Sequence, residues 1–401
     1  MLFDPFAEGF LDDPYRHYAK VREQERVHFS PLLNQWMITG YAEIQTMLRD
    51  PRIGRGDTTR FFGAFEPESP VDLFSREWIF GMDPPDHQRL RRLLGQSFTP
   101  RVIDSLRPFV QSRVDELLDE AVADGGMDVI SDFAYGLPAA VICRMLDIPM
   151  DAWEDCKRYS AQALPLVDPG ITPEQLALAN ESAVWFTDFF GALVRERQKN
   201  PGDDLLSAFC QAEYKGDRLS DEELVQNAIF LFVAGHETTT NLIGNGLYAL
   251  LRHPEQYAAL TARPDLVPNA VEEMLRYDSP VQYVGRVALE DTEVGGVAIA
   301  KGTGILGVVG AGNRDADRFP DPDAFDIDRP DCQPLSFGHG IHFCIGSALA
   351  RMEAHTAFAA LLERTRLRLV KAERRPLFAM RGLAELTVEV TGPDEGVTAS
   401  N

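Results

Sequence analysis

The chain has 401 residues, 45% of them hydrophobic and 25% charged, a balance ordinary for a soluble globular enzyme. Its formal charge of −23 argues against a nucleic-acid-binding protein, and the charged N-terminal stretch argues against a signal sequence or membrane anchor. Cysteines 143, 156, 210, 332 and 344 are scattered with no CxxC pair, so reduced thiols of a cytoplasmic protein are expected, not a disulfide framework.

No linker, low-complexity tract or internal repeat divides the sequence, and residues 1–401 are expected to form a single domain. Near the N-terminus, VHFSPLLNQWMIT reads as a hairpin turning at Asn34, and YAEIQTMLRD as a helix stopped by Pro51. Residues 54–81 have no clear period but carry Phe61, Phe62, Phe65, Phe74, Trp78 and Phe80. A long loop of this kind inside a compact protein is usually functional.

Helical patterns dominate from 86 to 277. In MDPPDHQRLRRLL, His87 and Arg91 lie one helical turn apart. The longest helix opens with a capping box, Ser220 and Glu223, and closes before Pro254. It should span about 50 Å and be buried through its apolar first half. Midway along it, AGHETT places Ala234 and Gly235 where a ligand could approach. The Thr238 hydroxyl can bond back to the carbonyl of Ala234 and open the helical ladder locally. Glu237 is an acid in an apolar helix, which is costly unless it is used. In EEMLRYDSP, Glu273 and Arg276 share a helix face; by itself such a pair is worth well under ~1 kcal/mol. Beyond 277 the pattern changes to strands and glycine turns, then a helix from about Ile345 and a last hairpin around LFAMRGLAELTVEV. The sum is a mainly α body with a smaller β region.

One stretch stands out, LSFGHGIHFCIGSALARMEA, residues 335–354. Glycines 338, 340 and 346 free the backbone to curl and let a flat ligand come close. Amides at the start of the following helix favour a thiolate at Cys344, a soft and strongly donating metal ligand. A buried structural cysteine is an alternative, and so is a zinc site with His339 and His342, although zinc wants a fourth ligand that is not evident.

Phe337, Gly340, Cys344 and Gly346 satisfy Phe-x-x-Gly-x-x-x-Cys-x-Gly, and this stretch resembles the haem-binding loop of the cytochrome P-450 superfamily. Glu273 and Arg276 resemble the family's buried Glu-x-x-Arg clamp, AGHETT its dioxygen-activating helix, and His87 with Arg91 part of its haem-carboxylate site. The resemblance covers essentially the whole chain. It implies a mainly α fold with a long central helix over haem b, Cys344 as iron ligand, and Ala234 and Gly235 against the haem. Glu237 and Thr238 would relay protons during O2 activation. Arg286 and His342 would join His87 and Arg91 on the haem carboxylates, and Arg329 would complete the Glu273–Arg276 network, since Ala324 stands where an arginine often does.

The implied activity is that of a monooxygenase hydroxylating or epoxidising a bulky, mostly apolar molecule in bacterial secondary metabolism. A peroxygenase, or a haem-binding sensor without catalysis, is the alternative. The chain stops soon after Cys344, so electrons are expected from a separate ferredoxin and ferredoxin reductase, with NAD(P)H acting only indirectly. Arg89, Arg92, Arg101 and Arg351 are expected to form the basic surface that meets an acidic ferredoxin. By position in the family, Phe80, Val233, Val281, Gln282, Val284, Ala379 and Met380 are the expected substrate-pocket residues, with Phe230, Leu164, Leu166, Val167 and Tyr283 beside them.

Overall fold

A computed structural model describes residues 3–56, 65–168, 170–214 and 216–393. Phe61 and Phe62 lie outside the described residues. The N-terminal hairpin forms as expected: β1 (Val27–Ser30) pairs antiparallel with β2 (Gln35–Ile38), and Asn34 takes the left-handed conformation at φ 51° that the turn requires. With β3 (Ile53–Gly54), β5 (Val284–Ala288) and β8 (Gly304–Gly307) it makes a five-stranded sheet of order β1-β2-β8-β5-β3. The β2–β8 pairing is parallel and the others are antiparallel. A smaller sheet, β4-β10-β9, joins β4 (Gly126–Asp128) to the C-terminal hairpin of β9 (Arg366–Arg374) and β10 (Leu383–Thr391). β6 (Thr292–Val294) and β7 (Val297–Ile299) form a separate two-stranded ribbon.

The central helix, Asp221–Arg252, has 32 residues and starts at the expected capping box. The Ser220 hydroxyl accepts from the Glu223 amide at 3.1 Å, and the Glu223 carboxylate accepts from the Ser220 amide at 2.8 Å. It packs against the helices Gly136–Leu146, Pro173–Lys199, Val267–Tyr277 and Ser347–Arg364. Leu224, Ile229, Leu231, Phe232, Leu242, Ile243, Leu247 and Leu250 are buried along it and join the main core. That burial supplies the stability that helix propensity alone would not. One stretch, Val129–Leu146, is long and apolar enough to cross a membrane, but 78% of it is buried inside the protein.

The expected loop at 54–81 is not wholly irregular. A short helix, Pro70–Ser75, packs on the helix Pro173–Lys199, where Phe74 stacks 6.2 Å from Phe186, and a turn, Ile79–Gly81, is pinned to the central helix. The Asn227 side chain accepts from the Ile79 amide at 2.9 Å and donates to the Glu77 carbonyl at 2.8 Å. Aromatic packing reinforces this tie: Trp78 and Phe80 lie 5.3 and 5.9 Å from the Phe230 ring.

Candidate active site

Two one-turn segments, Leu335–Phe337 and Gly340–His342, fold the loop back on itself. The Cys344 amide donates to the Phe337 carbonyl at 2.9 Å, closing the turn. Gly338 and Gly340 both have φ near +70°, and a Cβ at Gly340 would collide with the Leu48 carbonyl oxygen. Arg91, on the helix Asp86–Gly95, donates to the Phe343 carbonyl at 2.7 Å and holds the loop from the side. Burial pushes the Cys344 thiol up, while the Gly346 amide, Arg91, Arg351 and the Ser347 amide pull it down. The thiolate bias expected from the helix start is therefore present but does not prevail alone. A bound metal ion would complete it, because coordination deprotonates a thiol outright. Cys143 and Cys156, by contrast, are pushed up to about 12 by burial. The zinc alternative has no geometric support. His339 turns to Gln45 and Arg49, and among the described residues no three His, Cys, Asp or Glu side chains converge.

Beside the loop lies a cluster of donors with almost no acceptors. The His87 and His342 rings are 4.0 Å apart, and His87 Nδ1 and His342 Nε2 are buried without a hydrogen-bond partner. Burial, then Arg91 and Arg55, push His87 down to about 4; burial, Arg55 and Arg286 push His342 lower still. Both rings are therefore neutral near pH 7. Arg286, on β5, is 3% exposed and is pushed down to about 10 by burial. Arg55, which sequence reasoning missed, is also 3% exposed.

On the central helix, Phe230, Val233, Ala234 and Thr238 are half-buried, although the helix runs through the interior and their neighbours are buried. Their spacing puts them on one face, only partly covered by the chain's own side chains, Trp78 and Phe80 among them at Phe230. Gly235 adjoins this face and packs its open side against Ile142. The Thr238 hydroxyl donates to the Ala234 carbonyl at 3.1 Å, as its spacing predicts. The helix runs from Asp221 to Arg252 through this position, with the Thr238 hydroxyl as an added donor to that carbonyl. Glu237 is buried and accepts from Arg375, after β9, at 2.8 Å. Its neighbour His236 donates from Nδ1 to the Phe232 carbonyl at 2.7 Å, and burial pushes its ring down. Neither Arg375 nor its partnership was legible in the sequence.

Glu273 and Arg276 are fully buried and bidentate, at 2.6 and 2.8 Å. Arg329 donates from Nε to Glu273 at 3.0 Å and stands third in the network. The Ala324 carbonyl accepts from both arginines, so that position contributes through its backbone. A buried network of this kind holds only because every partner is satisfied.

Several expected pocket residues are placed elsewhere. Gln282 is a correction: its amide accepts from the Tyr18 hydroxyl at 3.1 Å and donates to the Ser279 carbonyl at 2.7 Å, engaged with the N-terminal aromatic cluster. Tyr283 donates to the Val167 carbonyl at 2.7 Å and stacks on Phe378. Phe74, Leu164, Leu166 and Ala379 are buried. Phe80, Val281, Val284 and Met380 remain half-buried, with Val281 and Met380 bridged across their backbones. The basic surface also shrinks. Arg89 is paired with Glu223 at the start of the central helix, and Arg351 with Glu272, leaving Arg92 and Arg101 exposed.

These residues fit the haem that the resemblance implies. The cysteine offers a soft ligand, the glycines let a flat ring approach, and the orphaned nitrogens, with arginines that have no carboxylate partner among the described residues, suit a dianionic edge. Comparison with known proteins agrees. The family model "Cytochrome P450" matches residues 178–389. The biotin biosynthesis cytochrome P-450 of Bacillus subtilis is 38% identical over 392 residues, covering 95% of this chain and 97% of that one. The 6-deoxyerythronolide B hydroxylase of Saccharopolyspora erythraea is 39% identical over 369 residues, covering 89% and 90%. The crystal structure of cytochrome P-450 BioI with hexadec-9Z-enoic acid ligated acyl carrier protein superimposes with a TM-score of 0.89 at 37% identity, covering 95% and 98%. The chain therefore belongs to the cytochrome P-450 family, whose members carry a haem iron, and it is a monooxygenase.

Proposed function

We propose that residues 1–401 form one domain that hydroxylates or epoxidises a bulky, mostly apolar small molecule in bacterial secondary metabolism. It would work in the cytoplasm, using O2 and electrons from a ferredoxin and its NAD(P)H-dependent reductase. The observation that carries this reading is the partly uncovered apolar face of the central helix at Val233 and Ala234, in a chain whose glycine loop presents Cys344. Apolar side chains left half-exposed in the interior favour an apolar ligand, since burying both surfaces removes them from water together.

In this reading Cys344 binds the iron, and Phe337, Gly340 and Gly346 shape its loop. His87, Arg91, Arg286 and His342 hold the haem carboxylates. Haem b supplies the one-electron and oxygen chemistry; the protein supplies position, proton supply and exclusion of water. Thr238 holds a hydroxyl on the partly uncovered face, where it can pass a proton toward the reaction. Glu237 restores that proton from the other side of the helix, and Arg375, 21% exposed, links it toward solvent. Phe80, Val233, Val281, Val284 and Met380 contact the substrate.

Reducing the protein under carbon monoxide tests the ligand: a thiolate-bound ferrous carbonyl gives a strongly red-shifted Soret band. Turnover of a screened apolar ligand with NAD(P)H, ferredoxin and reductase tests the rest. Turnover with hydrogen peroxide alone, and none with the electron-transfer chain, would replace this reading with a peroxygenase.

A further inference from the structure

Arg55 follows β3, and its backbone is fixed before its side chain is considered. The Asp83 carboxylate accepts from the amides of Arg55, at 2.8 and 3.0 Å, and of Gly56, at 2.8 Å. That turn carries the guanidinium inward, where it lies 3.7 Å from the centroid of the Phe80 ring. One nitrogen donates to the Gly285 carbonyl at 3.1 Å, the same oxygen that accepts from Arg286 at 2.8 Å. Two arginine head groups thus share one carbonyl in the interior.

Among the described residues neither head group has a carboxylate within ion-pair distance, and Arg55 Nε is buried without a partner. Asp83 is the acid whose charge acts on both, but its oxygens are occupied by backbone amides. Two guanidinium groups side by side in a dry interior repel each other and lack solvation. A chain keeps such a pair where a ligand brings the opposite charge. His87 and His342 feel Arg55, Arg91 and Arg286 together, so the three arginines belong to one site. Against one carboxylate they leave two positive charges, and a haem has two carboxylates.

We propose that Arg55 is a third arginine for the haem carboxylates, beside Arg91 and Arg286, and that the Asp83 turn exists to deliver it. It completes the charge balance of the site and, through its stack on Phe80, joins that site to the aromatic segment over the central helix. The inference rests on the haem-carboxylate reading above.

The test is haem transfer from the holoprotein to excess apomyoglobin, run with haem and with its dimethyl ester, which has no carboxylate charge. Arg55→Gln should lose haem about tenfold faster than wild type, the scale of one charged hydrogen bond, yet lose the diester at the wild-type rate. Arg55→Lys should stay within about threefold of wild type for haem. Equal acceleration with both pigments would make Arg55 a structural residue and overturn the proposal. So would a lysine variant as leaky as the glutamine one. Unchanged haem loss, with loss of the Soret shift that a long-chain carboxylic acid induces, would assign Arg55 to a substrate carboxylate and also overturn it. A wild-type protein that holds the diester as firmly as haem would instead sink the carboxylate site itself.

Discussion

Thr238 sits on the partly uncovered face of the central helix with its hydroxyl proton given to the Ala234 carbonyl, which leaves its lone pairs free to accept. Removing that hydroxyl changes proton supply and little of the pocket's shape. Thr238→Ala should therefore bind substrate nearly as well, judged by the Soret shift, but form several-fold less product per NAD(P)H, with the difference appearing as peroxide. Unchanged coupling would remove Thr238 from the relay. Cys344 differs from Cys143 and Cys156 in environment as well as position. Burial pushes all three thiols up, but at Cys344 backbone amides and two arginines act against it, whereas at Cys143 and Cys156 nothing does. Cys344→Ala should abolish the red-shifted carbonyl band completely. Survival of that band would move the ligand to another cysteine.

At the scale of elements, the central helix does two jobs, and Asn227 joins them. Its side chain satisfies the Ile79 amide and the Glu77 carbonyl, fixing the segment that carries Trp78 and Phe80. Asn227→Ala strands a buried amide, a loss of about 1–3 kcal/mol. It should lower Tm, speed proteolysis near residue 77 and weaken substrate binding more than haem binding. Equal protease resistance in the two proteins would show that aromatic packing alone secures the segment. What the sequence disclosed about these elements follows one rule. The capping box, the hairpin turn at Asn34, the Thr238 bond to residue 234 and the Glu273–Arg276 pair each depend on residues within a few positions of one another. Arg55 with Arg286, Glu237 with Arg375, and Gln282 with Tyr18 are separated by more than a hundred positions, so only packing sets them. Gln282 illustrates the cost. In an extended segment successive side chains go to opposite sides, and Gln282 turns away while its neighbour Val281 stays half-buried.

Across the whole molecule, Asp278 ties together parts that the sequence keeps far apart. It follows the helix Val267–Tyr277 and accepts from Tyr15 at 2.8 Å, Arg374 at 2.6 Å and Arg381 at 2.6 Å. Those partners lie on the first helix, Pro14–Gln24, and on the C-terminal hairpin. Arg381 also donates to the Leu11 and Asp12 carbonyls, so both ends of the chain are fastened to the carboxylate's neighbourhood. Burial alone would raise the Asp278 pKa, but Arg374 and Arg381, with the Tyr15 hydroxyl, outweigh it and hold the group well below the usual carboxylate range. A carboxylate depressed on folding lends stability that is complete above its unfolded value of about 3.9, and lends progressively less as pH falls through and below that value. The wild-type protein should therefore lose stability as pH drops below about 4, and Asp278→Asn should lose less over the same interval because its share is already gone. At pH 7 the substitution breaks a buried ion-pair network and should cost about 3 kcal/mol, read as a fall in the denaturant midpoint. The thiolate-type carbonyl spectrum of the folded fraction should stay as in the wild type, since Asp278 contacts neither Cys344 nor its loop. Parallel acid-unfolding curves for the two proteins would mean that another carboxylate governs the acid limit.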